Sequence, residues 1–272
     1  MSATAPGAPR ARARRALAVA ALLPLLLGAA ACTPGGGPAP GRSPAEETTP
    51  PAPAAGAGPT ATPAAAPDAA WADHGAVAAD AYALGYAGTV GPITPELATR
   101  MSSSWRAGCP VPLADLRLVT VTYRDFDGAV ATGELVVHAD VADSVVAVFG
   151  ELFALGYPIR TMRLVDDFGG DDDASMAADN TSAFNCRPIS RGTGWSEHAY
   201  GRAIDLNPVE NPYVRDALVL PPEGVPYASR PDAPGVLHAG DAVVRAFAAH
   251  GWRWGGEWSS PIDYQHLSTT GR

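Results

Sequence analysis

The sequence contains no lysine: all nineteen of its basic residues are arginine. That bias reflects genome composition more than function, but the balance it leaves is informative. Set against 28 acidic residues, the arginines give a formal net charge of −9. Residues 1–31 hold four of them and no acid, so removal of that segment leaves 15 against 28 and a charge of −13. A chain this acidic lacks the basic surface that neutralises phosphates, which excludes nucleic acid as a partner. Cysteine is scarce as well, limited to Cys32, Cys109 and Cys186, and none of them lies in a CxxC or CxH pattern. That argues against a cysteine-based zinc site. No repeat of fixed period is visible, and the apolar run "ALAVAALLPLLLGAAA" is too short, and too interrupted by Pro24 and Gly28, to span a bilayer.

What that run does match is a secretory leader. Arg10, Arg12, Arg14 and Arg15 precede it, and small residues follow it. "AAAC" at 29–32 resembles the bacterial lipobox, with Ala29 in place of the usual leucine, so residues 1–31 are expected to be a lipoprotein-type signal peptide and Cys32 the lipidated residue. Residues 32–67 are almost entirely Pro, Ala, Gly and Thr, which cannot bury enough apolar surface to offset chain entropy and should form a disordered tether. Residues 68–272 then make one domain with enough apolar content for a core. In an exported chain the two cysteines left in it, Cys109 and Cys186, read as a disulfide.

Local signals suggest mixed secondary structure. The stretch 71–87 is Ala-rich and could be helical. Thr94, Pro95 and Glu96 mark a helix start. Two alternating β-branched runs between 116 and 141 flank Asp127 and Gly128, the signal of a hairpin. Apolar residues at 145, 148, 149, 152, 153 and 155 recur at helical spacing and stop at Gly156, with Asp140 or Asp143 as the expected cap. "PIRTMRLVDDF" reads as a strand. The triplet 171–173 of aspartates should begin a helix, where negative charge is favourable; it lacks the glycine and distal glutamate of a calcium loop. In a strand at 201–206, Gly201, Ala203 and Asp205 share one face, and Ile204 and Leu206 suit a core on the other. Residues 208–237 are expected to be a long loop carrying substrate contacts, and 239–250 a last helix.

Chemistry concentrates in "SEHAYGRAIDLNP" at 196–208 and "WRWGGEWSSPIDYQH" at 252–266. A catalytic zinc site has three protein ligands and one open position. His198 and Asp205 supply a nitrogen and an oxygen, and His266 is the candidate for the third. Asp263, three residues before His266, is the candidate base. On a regular strand the two would face opposite sides, so a bend, bulge or helical turn is expected at 263–265. His74, His138, His238 and His250 lack comparable neighbours and are read as structural or solvated.

The first segment resembles the S-x-H-x-x-G-x-A-x-D signature of the zinc peptidases that include D-alanyl-D-alanine carboxypeptidases (VanY-like) and L-alanyl-D-glutamate endopeptidases. The second is similar to that family's tryptophan-rich acid-x-x-His motif, in the Asp form found in the endopeptidases. Both occur in the family's order and approximate separation, over about residues 105–268. The resemblance implies His198, Asp205 and His266 as zinc ligands, Asp263 as general base and Ser196 in a supporting hydrogen-bonding role. Glu257, nine residues before His266, is a rival base only on charge grounds. Many members also hold the oxyanion or a substrate carboxylate with an arginine. Their usual motif for it is missing here, which leaves Arg187 as first choice and Arg163 as second.

The expected fold is α+β: a small antiparallel central sheet, helices packed on one side, and zinc in a groove across the sheet, as in the D-Ala-D-Ala peptidases and the hedgehog signalling domain. The expected function is zinc-dependent hydrolysis of peptidoglycan stem peptides by a monomer exported to the cell envelope and anchored to the membrane through Cys32. The residues leave open whether it removes a terminal D-alanine or cuts within the stem. The alternatives are a zinc-containing module that binds cell wall or a partner without turnover, and a hydrolase acting on other dipeptides.

Overall fold

The computed structural model describes residues 81–189 and 193–272, which belong to one compact unit, Pro63–Arg272. The expected signal peptide, the lipidation site Cys32, the tether and His74 lie outside the described residues, as does most of the Ala-rich stretch, of which residues 81–83 are helical. Among the described residues no helix is long and apolar enough to cross a membrane.

The hairpin forms where the turn chemistry puts it. Strands β2 (Leu116–Arg124) and β3 (Val130–His138) pair antiparallel along their whole length. The Asp125 carboxylate closes the turn by accepting from the backbone N–H groups of Asp127 and Ala129. β1 (Gly88–Pro92) adds to the outer edge of β2. Helix α1 (Pro95–Arg100) starts as its sequence indicates, with the Thr94 hydroxyl accepting from the Leu97 N–H and proline in the first turn.

Helix α2 (Ala142–Leu155) supplies the main packing surface and ends at Gly156, but neither Asp140 nor Asp143 caps it. Asp140 is drawn away by Arg202, 2.7 Å distant, and the cap position is Val141. Val145, Val148, Phe149, Leu152 and Phe153 of α2 are buried in one cluster with Val119 and Val121 of β2 and Leu135 and Val137 of β3. Fully burying side chains of this kind stabilises the fold by about 1.5–3 kcal/mol each, before chain entropy is counted.

The segment expected as a strand at 158–168 is extended only at β4 (Thr161–Met162), and a 3-10 turn occupies Val165–Phe168. The reason is tertiary: the Asp166 carboxylate accepts from the N–H groups of Ser103 and Ser104, pinning the turn to the segment after α1. Asp171 caps α3 (Asp172–Ala177), so the aspartate triplet is a helix start as expected. β5 (Asn180–Thr181) pairs parallel with β4.

β6 (Ala203–Asp205) is one residue pair short of expectation at its start: Gly201 does not belong to it but ends the preceding 3-10 turn in the left-handed region, at φ 65°. A Cβ there would also lie 2.6 Å from the His138 backbone nitrogen, so glycine is required on both counts. The expected long loop 208–237 contains a hairpin, β7 (Tyr213–Arg215) with β8 (Leu218–Leu220), and a 3-10 turn at Pro222–Tyr227. Its strands are too short for their alternation to register in the sequence. Asp241 caps helix α4 (Ala242–Ala249), and β9 (Arg253–Trp254), β10 (Ile262–Asp263) and β11 (His266–Ser268) follow.

The architecture is therefore mixed α and β, with four small sheets where one central sheet was expected: β1-β2-β3, β8-β7-β10, β6-β11-β9 and the parallel pair β4-β5. α2 continues the same hydrophobic cluster to Ile204 and Leu206 around β6, Phe247 of α4, Trp254 of β9 and Leu267 of β11.

Two devices hold the long connections. The disulfide Cys109–Cys186 closes a separation of 77 residues beside a second apolar cluster that includes Met101, Leu116, Phe184 and Ala199. A buried polar network holds 207–237. The Asn211 side chain donates to the Leu206, Asn207 and Gly235 carbonyls and accepts from Arg230 and the Leu237 N–H. Arg230 lies 4.2 Å over the Tyr264 ring. At its edge the buried Glu210 carboxyl sits against Asp179 and is raised to about 8, by burial first, then by its hydrogen bond with Asp179 and the Asp179 charge, with a backbone hydrogen bond and the Arg160 charge opposing.

Replacing both Cys109 and Cys186 by serine should lower stability by about 2–4 kcal/mol, through the larger freedom of the unfolded chain, in denaturant melts. Glu210 makes a separate prediction. Its folded-state value lies above its usual 4.5, so the folded protein holds a proton that the unfolded chain releases. Stability should therefore fall as pH rises between about 4.5 and about 8 and level off above, and Glu210→Gln should flatten this part of the profile.

Candidate metal centre

The centre is built on one antiparallel pair. β6 and β11 register so that Asp205 faces His266 and, one step along, Ile204 faces Leu267. Strand alternation sends the second pair, both fully buried, into the core and leaves the first pair on the opposite face. His198 reaches that face from the 3-10 turn Glu197–Tyr200, whose first N–H groups are capped by Ser196: its hydroxyl accepts from the His198 N–H.

The segment 182–186 ties the parts together. Ser182 and Asp205 exchange both backbone hydrogen bonds, the Ala183 carbonyl accepts from His198 Nδ1 at 2.6 Å, and the Asn185 N–H donates to the His198 carbonyl.

The resulting geometry places three donor atoms together with almost no solvent exposure. His198 Nε2 lies 3.2 Å from Asp205 Oδ2 and 3.3 Å from His266 Nδ1, and His266 Nδ1 lies 3.1 Å from Asp205 Oδ1. The ring nitrogens facing away are both committed to carbonyls: His198 Nδ1 to Ala183, and His266 Nε2 to Arg272 at 2.8 Å. A carbonyl only accepts, so in each neutral ring the proton sits on the outward nitrogen and a bare lone pair points inward. In that state two lone pairs and a carboxylate converge on one point, the arrangement a metal cation takes up. A tetrahedral zinc ion with bonds of about 2.0–2.1 Å holds its ligands about 3.4 Å apart, so the donor set fits zinc in type, in orientation and in spacing.

Charge reflects the same crowding. Burial alone would raise the Asp205 carboxyl, but the two imidazoles outweigh it and hold the group far below the usual carboxylate range. Burial alone would lower His266, and the Asp205 hydrogen bond and charge carry it up instead, to about 9. Asp263 is raised to about 7, by burial first and then by the charge of Asp205, against the attraction of His266. Its Oδ1 is buried and has no hydrogen-bond partner.

The chain does bend where both Asp263 and His266 require it. Residues 264 and 265 interrupt the strand between β10 and β11, and both side chains line one cavity. Close packing from the tryptophan-rich segment makes the bend possible: a Cβ on Gly255 would lie 2.6 Å from the Asp263 carbonyl oxygen and 3.3 Å from His266 Cβ. Trp254 Nε1 donates to the Tyr264 carbonyl, and the Trp258 ring lies 5.4 Å from that of His266.

The cavity has a volume of about 920 Å3 and contains Ser196, His198, Asp205, Asp263 and His266. Arg187 also lines it, but its guanidinium is paired with Asp172 at 2.8 Å and its Nε is buried without a partner. Arg163 is not brought here: it pairs with Asp167 at 3.0 Å and lies over Phe168. Glu257 is exposed and outside the cavity. Neither His138, which caps a 3-10 turn, nor His250, which pairs with Glu151, lines it, and nor does His238. Sequence reasoning did not single out Tyr213, Arg215, Leu218 and Leu220, which form a wall of the cavity from the hairpin inside the expected loop.

With this arrangement in place, comparison with known proteins is decisive for one segment. Residues 190–269 match the family model described as D-alanyl-D-alanine carboxypeptidase. This is a VanY-like zinc peptidase family. The match covers less than a third of the chain but takes in every residue of the donor cluster together with Ser196 and Asp263. No curated protein and no solved structure matches the chain. The family match and the His198, Asp205 and His266 cluster together support a zinc peptidase.

Purified protein should bind one zinc ion per chain, and Asp205→Ala should weaken binding by more than about 100-fold, since even loss of an outer-shell partner costs about 10- to 100-fold. Zinc held at 100 times its dissociation constant should raise unfolding free energy by about 2.7 kcal/mol, and a chelator should abolish the gain. Metal analysis and denaturant melts check both.

Proposed function

We propose that the protein is an exported zinc peptidase that hydrolyses peptide bonds involving D-amino acids in peptidoglycan stem peptides. The observation that carries this is the buried convergence of His198, Asp205 and His266, with the Asp263 carboxylate in the same cavity, inside the segment that matches the carboxypeptidase family. When bound there, zinc supplies Lewis acidity that polarises a scissile carbonyl and acidifies water.

The chain's own residues do the rest. His198 and His266 are held by their carbonyl partners with a lone pair each toward the centre, and Asp205 adds a negative charge that favours a dication. Asp263 keeps one carboxylate oxygen free of any partner, so it can take the proton of an attacking water and return it to the departing nitrogen. Arg187 lines the same cavity paired with Asp172, and on exchanging that partner its guanidinium would stabilise negative charge developing on the carbonyl oxygen. Ser196 acts through the turn it caps, which aims His198. No side-chain nucleophile is needed. The signal peptide, lipidated Cys32 and tether belong to the same proposal: they would place the enzyme at the cell envelope, beside its substrate.

The test is to incubate the zinc-loaded protein with defined muropeptides, with simple L-dipeptides as controls, and to read the products by mass spectrometry. Loss of a terminal alanine or release of shorter stem fragments is expected, and Asp263→Ala should reduce turnover roughly 100- to 10,000-fold while zinc stays bound. If the wild-type protein binds zinc and muropeptides but leaves every substrate intact, the chain is a binding module and the catalytic proposal fails.

A further inference from the structure

The two carbonyls that orient the imidazoles are held in different ways. Ala183 stands in segment 182–186, where Ser182 exchanges two backbone hydrogen bonds with Asp205 and the Asn185 N–H donates to the His198 carbonyl. On the His266 side, backbone pairing among the described residues stops at the Thr269 N–H, which donates to the Arg202 carbonyl. Residues 270–272 make no backbone–backbone hydrogen bond with any described residue, yet the Arg272 carbonyl meets His266 Nε2 at 2.8 Å. A side chain must therefore place it.

Ser268 is that side chain. Residues two apart on a strand share a face, so Ser268 stands on the same side of β11 as His266, while Leu267 between them enters the core. It is fully buried. Its hydroxyl accepts from the N–H groups of Gly271 at 3.0 Å and Arg272 at 3.1 Å, and donates to the Arg272 carbonyl at 2.9 Å. A hydroxyl offers one donor and two acceptor sites, so all of its bonding capacity goes into folding residues 271 and 272 back beside His266. The Arg272 carbonyl takes one donor from Ser268 and one from His266, which uses both of its lone pairs. Gly271 permits the reversal: its φ of 78° lies in the left-handed region, and a Cβ there would lie 2.7 Å from Arg253 Cδ. Trp258 adds a second hold. Its Nε1 donates to the Gly271 carbonyl at 3.0 Å.

We infer that Ser268 is a positioning residue for the metal centre: acting through the Arg272 carbonyl, its hydroxyl fixes the rotation of the His266 ring and so aims Nδ1 at the point shared with His198 and Asp205. This rests on the reading of that point as a zinc site. Ser268 itself acts only through the turn. Without its hydroxyl, the Gly271 and Arg272 N–H groups lose their acceptor and Trp258 alone holds the turn. The carbonyl then leaves His266, whose ring has to be ordered by the metal rather than before it arrives. Outer-shell partners of this kind set both ring orientation and affinity.

Two measurements on the full-length protein test this: zinc affinity by competition with a chromophoric chelator, and NMR of the histidine ring N–H protons with and without zinc. Ser268→Ala should weaken zinc binding about 10- to 100-fold and speed exchange of the His266 Nε2–H with solvent by at least about 10-fold. Ser104→Ala removes another buried hydroxyl, one bonded to the Met101 carbonyl outside the cavity, and should change neither quantity, which separates positioning from a general loss of stability. If Ser268→Ala does not fold, Trp258→Phe, which removes the other bond to the turn, should move both quantities in the same direction. The inference is overturned if the variant that folds binds zinc as tightly as the wild type, or if its His266 Nε2–H exchanges no faster. A wild-type protein that binds no zinc, but whose His266 Nε2–H is protected and is exposed by Ser268→Ala, would leave the positioning role standing and sink the zinc reading alone.

Discussion

Asp205 and His266 face each other across β6 and β11 while Ile204 and Leu267, one residue away on each strand, close the hydrophobic core behind them. Because side chains alternate with a period of two, a one-residue slip in this pairing would turn the carboxylate and the imidazole into the core and the aliphatic pair into the cavity. The core therefore enforces the register of the centre. The same pairing makes α2 relevant to the chemistry, since the cluster it organises on β2 and β3 continues without a break to Ile204 and Leu267.

Holding polar groups at such a place carries an electrostatic penalty that the rest of the fold offsets. Each imidazole is fixed by a carbonyl from a different part of the chain, Ala183 and Arg272, which orients the other ring nitrogen toward the centre. Segment 182–186 serves the first of these and is itself anchored at both ends, by backbone bonds to Asp205 and by the Cys109 disulfide at Cys186. On the far side, Arg230 spans from the Asn211 network to the Tyr264 ring, beside the bend that turns Asp263 and His266 to one cavity. The donor types, their inward orientation and their spacing, not merely the burial of polar groups, are what point to a metal.

Much of the local structure was legible because its causes are local. Thr94 and Pro95 start a helix, Asp125 to Gly128 close a hairpin, Gly156 ends α2 and Asp171 begins α3, each through atoms within a few residues. Two of the departures have distant causes. Asp140 leaves its expected helix for Arg202, 62 residues away, and Asp166 holds 165–168 in a turn by binding Ser103 and Ser104. The hairpin of β7 and β8 escaped notice because three-residue strands are too short for alternation to stand out from a Pro- and Gly-rich background.

The chemistry of the centre follows the same division. Residue types and spacing nominated His198, Asp205 and His266 as ligands and Asp263 as base, and the resemblance of the two motifs to a zinc peptidase family implied the same roles, although regular strand geometry would have sent Asp263 and His266 to opposite faces. They also determined the acidic charge and the pair of cysteines available for bonding. Only the tertiary structure decided that the ring nitrogens are oriented by Ala183 and Arg272, that Arg187 is paired with Asp172 while Arg163 lies elsewhere, and that Tyr213 stands opposite Asp263. The physical reason is that hydrogen-bond direction and charge pairing depend on distances of a few ångströms between residues far apart in the chain, and a linear pattern records spacing along the backbone but not through space.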